Sequence, residues 1–266
     1  MKKRVLSAIV MIIIFVPLLI IGGKPFASLM LALSIVGMYE LIRVRETKKQ
    51  FPKVIKLFAY LMVMFFTLSN FESVKFINTM DYRAMSFIIF LFLTPMIFIN
   101  DTKKYNLNDA LFLIGAILFI GLSFNLIIIT RNYNIHYIIY LLLITVITDT
   151  FAYITGSLIG KHKLAKEISP KKSVEGLIGG TIAGVVAATV FYITVIDPTI
   201  SLVSLVVITT VLALLGQLGD LVFSSIKRYY NKKDFSDIIP GHGGILDRFD
   251  SLVFVILGFV IFINML

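Results

Sequence analysis

Asp247 and Asp250 bracket Arg248 where one apolar run begins, and Asp220 stands where the preceding apolar run ends. Between them lies the most polar stretch of the chain, residues 224–250 (SSIKRYYNKKDFSDIIPGHGGILDRFD), in which Lys227, Arg228, Lys232, Lys233 and Arg248 are set among Asp234, Asp237, Asp247 and Asp250. If the two runs are antiparallel helices, Asp220 lies at the end of one and Asp247 and Asp250 at the start of the other, so three carboxylates meet at one level. Such a cluster repels itself unless cations intervene. Mg²⁺ held by one or two carboxylates together with phosphate oxygens is the usual resolution. Carboxylates in a first helical turn are also favoured by the helix dipole, so capping alone would account for Asp247 and Asp250. Gln217, Asp220, Ser224 and Lys227 fall on one face of a helix and form a polar stripe.

Three further features could bear on phosphate chemistry. The turn Pro240-Gly241-His242-Gly243-Gly244 lets the backbone approach phosphate oxygens and aim N–H groups at them, although a plain turn between two elements reads the same way. His242 is either a phosphate donor or a turn residue. In residues 161–175, Ser169-Pro170 has the form of a helix N-cap and first helical position, which predicts Lys171 and Lys172 on an exposed first turn beside free backbone N–H groups. Positive charge at an inner loop explains those lysines equally well. Asp149 sits in the middle of an apolar run, where a carboxylate serves either function or a buried structural bond. Glu40, near the end of another run, is expected at the membrane interface.

The elements that must position these residues are transmembrane helices. A 266-residue chain that is 58% hydrophobic and only 15% charged is outside the soluble globular range. The expected class is all-α, a polytopic membrane protein with about nine spans at 5–22, 26–42, 55–70, 85–99, 109–130, 137–160, 176–196, 200–223 and 251–266. Alternating segments of a transmembrane barrel are missing. Lys2, Lys3 and Arg4 before the first run, with no small-residue cleavage pattern after it, suit a first helix rather than a signal peptide. With the N-terminus inside, Lys24, Lys75, Arg83 and Arg131 alone of the 25 Lys and Arg fall on the outer side. That bias puts residues 161–175 and 224–250 in the cytoplasm. It also explains the net charge of +10 as topology and lipid attraction, with no nucleic-acid partner implied. No cysteine is present, which excludes disulfides, thiolate nucleophiles and cysteine metal sites. Residues 1–136 read as membrane scaffold and 137–266 as the catalytic half.

Residues 224–250 resemble the signature of the phosphatidate cytidylyltransferase (CDP-diacylglycerol synthase) family, carried by Ser224, Lys227-Arg228, Lys233-Asp234, Ser236, Pro240, His242-Gly243-Gly244, Asp247-Arg248 and Asp250. Asp149 to Tyr153, Gly160-Lys161, Ser169 to Ser173 and Glu175-Gly176 are similar to a second region of that family, whereas the first half matches only as a set of membrane helices. The resemblance implies that phosphatidate and CTP give CDP-diacylglycerol and pyrophosphate with Mg²⁺, alone or with a second cation, at the cytoplasmic side of a bacterial inner membrane. It implies Asp220, Asp247 and Asp250 as metal ligands. Lys227, Arg228 and Arg248 would neutralise phosphates, and Ser224, His242, Gly243, Gly244, Lys171, Lys172 and Asp149 would contact substrates. A homodimer is suggested by family analogy only. A CTP-dependent polyprenol or phytol kinase is the nearer alternative. An ion-coupled transporter is the more distant one, opposed by the absence of paired interrupted helices.

Overall fold

The computed structural model describes residues 2–69, 71–72, 82–99, 101–263 and 265–266. Lys75 lies outside the described residues. The chain forms two compact units, one made of Met1–Tyr133 with Asp234–Ile245 and the other of Asn134–Lys233 with Leu246–Leu266. The polar segment near the C-terminus is therefore shared between them.

The first unit contains α1 (Lys2–Ile21), α2 (Gly23–Arg45), α3 (Lys53–Leu68), α4 (Tyr82–Leu93), α5 (Pro95–Phe98) and α6 (Leu107–Tyr133). α2, α3 and α4 all pack against α6. Accordingly Leu113, Ile117, Ile120, Phe124 and Ile128 of α6 are fully buried, with Phe26, Met30 and Met38 of α2 and Val63 of α3. Several polar groups within this core are paired, which offsets the cost of burying them. Thr67 donates to Ser34 Oγ at 3.0 Å, and the Asn125 amide donates to the carbonyls of Thr67 and Ser69 at 3.0 and 2.6 Å. Asp109, also fully buried, caps the start of α6 by accepting from Asn106 N at 3.1 Å. The same carboxylate accepts from Arg45 at 2.7 Å and from Lys49, which ties the basic end of α2 to the acidic start of α6.

The second unit contains α7 (Ile135–Ile159), a hairpin of β1 (Lys163–Ala165) and β2 (Ser169–Ser173), α8 (Val174–Phe191) ending in a wider π-type turn at Tyr192–Ile196, α9 (Leu202–Tyr229) and α10 (Leu246–Phe262). α7 and α8 approach closely because Gly176, Gly180 and Gly184 recur at four-residue spacing along one face of α8. A Cβ at Gly180 would lie 2.8 Å from Ala152 Cβ, and one at Gly176 would lie 2.6 Å from the Ala152 carbonyl. Small residues at this spacing are a common way for helices to associate in lipid, where no hydrophobic effect drives them together. α9 and α10 are antiparallel. Gly219 lies against Asp250 and Phe254, Gly216 against Ser251 and Val255, and Gly258 against Leu212 and Leu215.

Among the described residues, five helices are long and apolar enough to cross a bilayer: Gly23–Arg45, Leu107–Tyr133, Ile135–Ile159, Val174–Ile196 and Leu202–Tyr229. Val5–Ile21 and Tyr82–Phe98 are shorter apolar helices. The protein is thus α-helical and of membrane type. One local expectation is overturned. Ser169 does not cap a helix, and Lys171 and Lys172 lie in β2, paired antiparallel to β1, rather than in a first helical turn. The cap falls one turn later, where Ser173 Oγ accepts from Gly176 N at 3.1 Å. Pro170 suits an edge strand as well as a helix start, because neither position needs its missing N–H.

Candidate active site

α9 supplies the polar stripe expected of it. Gln217 is buried and donates to Thr181 Oγ1 at 2.8 Å and to the Leu177 carbonyl at 3.2 Å, fastening α9 to α8. One turn on, Asp220 accepts from Ser224 Oγ at 3.3 Å through one oxygen and pairs with Lys172 at 2.8 Å through the other. The Lys172 ammonium also donates to the Gln217 carbonyl at 3.3 Å. β2 thus delivers a cation to the α9 carboxylate. Lys171, its neighbour, is exposed. The strand alternation sends the two lysines to opposite faces.

The base of β2 is fixed by Glu175 in the first turn of α8. Its carboxylate accepts from Lys161 N at 3.1 Å and His162 N at 3.2 Å and meets His162 Nδ1 at 2.6 Å. The loop leaving α7 is thereby tied to the helix that follows the hairpin. Sequence reasoning gave Glu175 no such role, although a carboxylate two residues past a serine cap is a recognisable helix-start signal.

α10 brings Asp247, Arg248 and Asp250 in its first turn. Asp247 is buried and accepts from the Lys227 ammonium at 2.6 Å, in a pair whose side chains are 3% and 9% exposed. Asp250 is turned back toward Ser251 N at 2.8 Å, and its charge is felt together with those of Asp220, Asp149 and Lys227. Asp149 on α7 accepts from Ser251 Oγ at 3.3 Å and is acted on by Asp220 and Lys172. Three carboxylates from three helices, Asp149, Asp220 and Asp250, therefore share one electrostatic environment, relieved by Lys172 and Lys227. The carboxylate that joins Asp220 and Asp250 is Asp149, while Asp247 is held by Lys227. Asp149 keeps accessible surface despite its place inside an apolar helix.

The two arginines differ from the lysines. Arg228 is exposed and donates to the carbonyls of Lys232 at 2.8 Å and Ile168 at 3.3 Å, so it shapes the chain after α9 and touches the β1–β2 connection. Arg248 is exposed.

The glycine turn belongs to the first unit. Gly241 and Gly243 have φ of 80° and 82°, a conformation that favours glycine, and the turn closes with Ile239 N donating to the Gly243 carbonyl at 2.9 Å. Ser7 of α1 lies 2.8 Å from His242 Nδ1 and donates to the Pro240 carbonyl at 3.1 Å. Glu40 of α2 is fully buried rather than interfacial. Its Oε1 accepts from Ser236 Oγ at 2.5 Å and from Ile245 N at 2.9 Å. No local pattern announces that contact, since the partners are far apart in sequence.

Chemically, the cluster in the second unit offers hard oxygen donors beside two ammonium groups, a donor set suited to Mg²⁺ and phosphate. Among the described residues no three Asp, Glu or His side chains converge tightly enough to enclose a metal ion by themselves.

Comparison with known proteins agrees with this chemistry. Residues 2–266 match the model of the cytidylyltransferase family. The chain is 37% identical over 257 residues to the phosphatidate cytidylyltransferase of Staphylococcus saprophyticus, covering 96% of each chain. To the phosphatidate cytidylyltransferase of Bacillus subtilis it is 38% identical over 259 residues, covering 96% of this chain and 94% of that one. With residues 2–266 matched by the family model and 96% of the chain aligned to each relative, the chain belongs to the cytidylyltransferase family.

Proposed function

We propose that this protein transfers the cytidylyl group of CTP to phosphatidate, releasing pyrophosphate and forming CDP-diacylglycerol for phospholipid synthesis. The observation that carries the reading is that Asp220, paired with Lys172, and Asp250 lie where α9 and α10 pack at Gly219, with Asp149 bonded to Ser251 beside them, in a chain whose relatives are phosphatidate cytidylyltransferases. A lipid phosphate oxygen attacks the α-phosphorus of CTP while the bond to the pyrophosphate oxygen breaks. Both reactants are polyanions, so the protein's task is to bring like charges together and to stabilise the charge that grows on pyrophosphate.

Asp220 and Asp250 would hold Mg²⁺, with Asp149 beside them, and the ion would supply charge neutralisation at the phosphates. Asp247, expected among the ligands, is assigned to Lys227, whose ammonium it orients. Lys172 and Lys227 bind phosphate oxygens, and Arg248 extends the positive field. Ser224, hydrogen-bonded to Asp220, fixes that carboxylate's direction. His242, Gly243 and Gly244 receive a substrate phosphate at their turn. No general base is needed, because phosphatidate is already ionised at neutral pH.

The lengths of the apolar runs support nine spans, and the distribution of Lys and Arg supports an orientation with the N-terminus and residues 161–175 and 224–250 in the cytoplasm. The substrate lipid comes from the same bilayer, and assembly as a homodimer is compatible with this account. The test is transfer of label from the α-phosphorus of CTP into the lipid fraction by purified protein in phosphatidate-containing micelles. Label that stays in water-soluble products under every lipid condition would overturn the proposal, and label entering only from the γ-phosphorus would favour a lipid kinase.

A further inference from the structure

The first unit contains a buried carboxylate that the reaction as described does not use. Glu40 sits on α2 with no exposed surface, in a helix otherwise apolar around it. Its Oε1 accepts from both ends of the segment that carries the glycine turn, Ser236 Oγ at 2.5 Å and Ile245 N at 2.9 Å. A carboxylate is costly to bury, and hydrogen bonds to an ionised acceptor are among the stronger ones a protein makes.

The turn between these two anchors is itself tightly drawn. Ile239 N bonds to Gly243 O, His242 N bonds to Ile239 O at 2.9 Å, and Gly241 and Gly243 adopt positive φ. Gly244 does not share that left-handed conformation, so its backbone would accept a side chain. A Cβ there would instead overlap the Glu40 carboxylate, and that carboxylate could yield only by giving up its bonds to Ser236 and Ile245. Glu40 and Gly244 therefore fit each other.

We infer that Glu40 is a positioning residue that holds residues 236–245 in the shape that receives a substrate phosphate at His242-Gly243-Gly244. The inference rests on the functional reading above and adds to it a buried residue far from the signature in sequence. It does not touch substrate; it acts through the turn.

The experiment has two arms. Hydrogen–deuterium exchange of the substrate-free protein reads the anchoring without reference to activity. Glu40→Ala should speed exchange of the 236–245 peptide about tenfold or more, in keeping with loss of its two hydrogen bonds to that segment. Glu40→Gln keeps an acceptor at the same reach and should stay within about threefold of the parent. Steady-state kinetics reads the consequence. Glu40→Ala and Ser236→Ala should raise KM for one phosphate-bearing substrate, with kcat changed less, and the substrate affected, CTP or phosphatidate, says whose phosphate the turn receives. Gly244→Ala should show the same KM defect, and Glu40→Ala/Gly244→Ala should be no worse than the poorer single variant, since removing the carboxylate opens the space the new methyl needs. Unchanged exchange in Glu40→Ala overturns the inference, as does faster exchange with both KM values unmoved, or additive defects in the double variant. If Glu40→Ala fails to fold, Ser236→Ala carries both arms. A parent protein that makes no CDP-lipid overturns the functional reading instead, and leaves the exchange arm to decide the anchoring.

Discussion

The Lys227–Asp247 pair offers a sharp separation of folding from catalysis. Its atoms are 2.6 Å apart with side chains 9% and 3% exposed, so solvent screens it little. At an effective dielectric of about 20, unit charges at that separation attract by about 6 kcal/mol. Desolvation of both groups takes back part of this, and removing one partner of a buried pair costs about 3–5 kcal/mol because the other charge is left alone. Lys227→Met and Asp247→Asn should each lower the thermal midpoint in detergent by about 6–12 °C, whereas the double variant should recover at least half of either loss. Turnover should be lost in all three, since Lys227 is needed at phosphate. Midpoints measured side by side for the four proteins decide the matter. If the double variant loses the sum of the two single effects, the pair does not exist as an interacting unit and the assignment of Asp247 to Lys227 is wrong.

Other expected outcomes follow from the same geometry. Asp250→Asn and Asp220→Asn should reduce CDP-diacylglycerol formation by about a hundredfold or more, while extraction yield and midpoint remain near the parent, because the lost groups stabilise charge in the transition state. Lys172→Met removes the cation on Asp220 and should raise KM for CTP about tenfold, with Lys172→Arg closer to the parent; equal KM values in the two variants would contradict a phosphate role. Gly180→Val forces α7 and α8 apart at Ala152 and should cost about 1–3 kcal/mol in stability, read as a lower midpoint, whereas Val186→Ala on the exposed face of α8 should cost little. Single cysteines placed at Lys103, Lys163 and Lys232 of this cysteine-free chain should react with an impermeant maleimide only after the inner face is opened, and one at Lys24 should react from outside.

The sequence made some of this legible and hid the rest for identifiable reasons. The stripe from Gln217 to Lys227 could be read because helical periodicity is local, and the long helices could be read because an apolar run of spanning length is also a local signal. The antiparallel run of α9 and α10 followed from their being successive apolar spans, which cross in opposite directions. Lys171 and Lys172 were misplaced because Ser-Pro is equally at home in an edge strand and a helix start, and the true cap, Ser173, lies one turn beyond. Asp149 was noticed, yet its company with Asp220 and Asp250 depends on how α7 packs beside α9 and α10, which no spacing within one segment encodes. Glu40 was read as interfacial for the same reason. A glutamate near the end of an apolar run has that place by default, and only the arrival of Ser236 and Ile245 from the far end of the chain makes it a buried anchor.

The measurement that tests the central claim most directly is the reaction itself, followed at both products. Purified protein in micelles containing phosphatidate should release pyrophosphate and form CDP-diacylglycerol in equal amounts when given CTP and Mg²⁺, and neither product when phosphatidate or Mg²⁺ is omitted or ATP replaces CTP. Folded protein that forms no CDP-lipid with all three components present, or that releases pyrophosphate without lipid, contradicts the account.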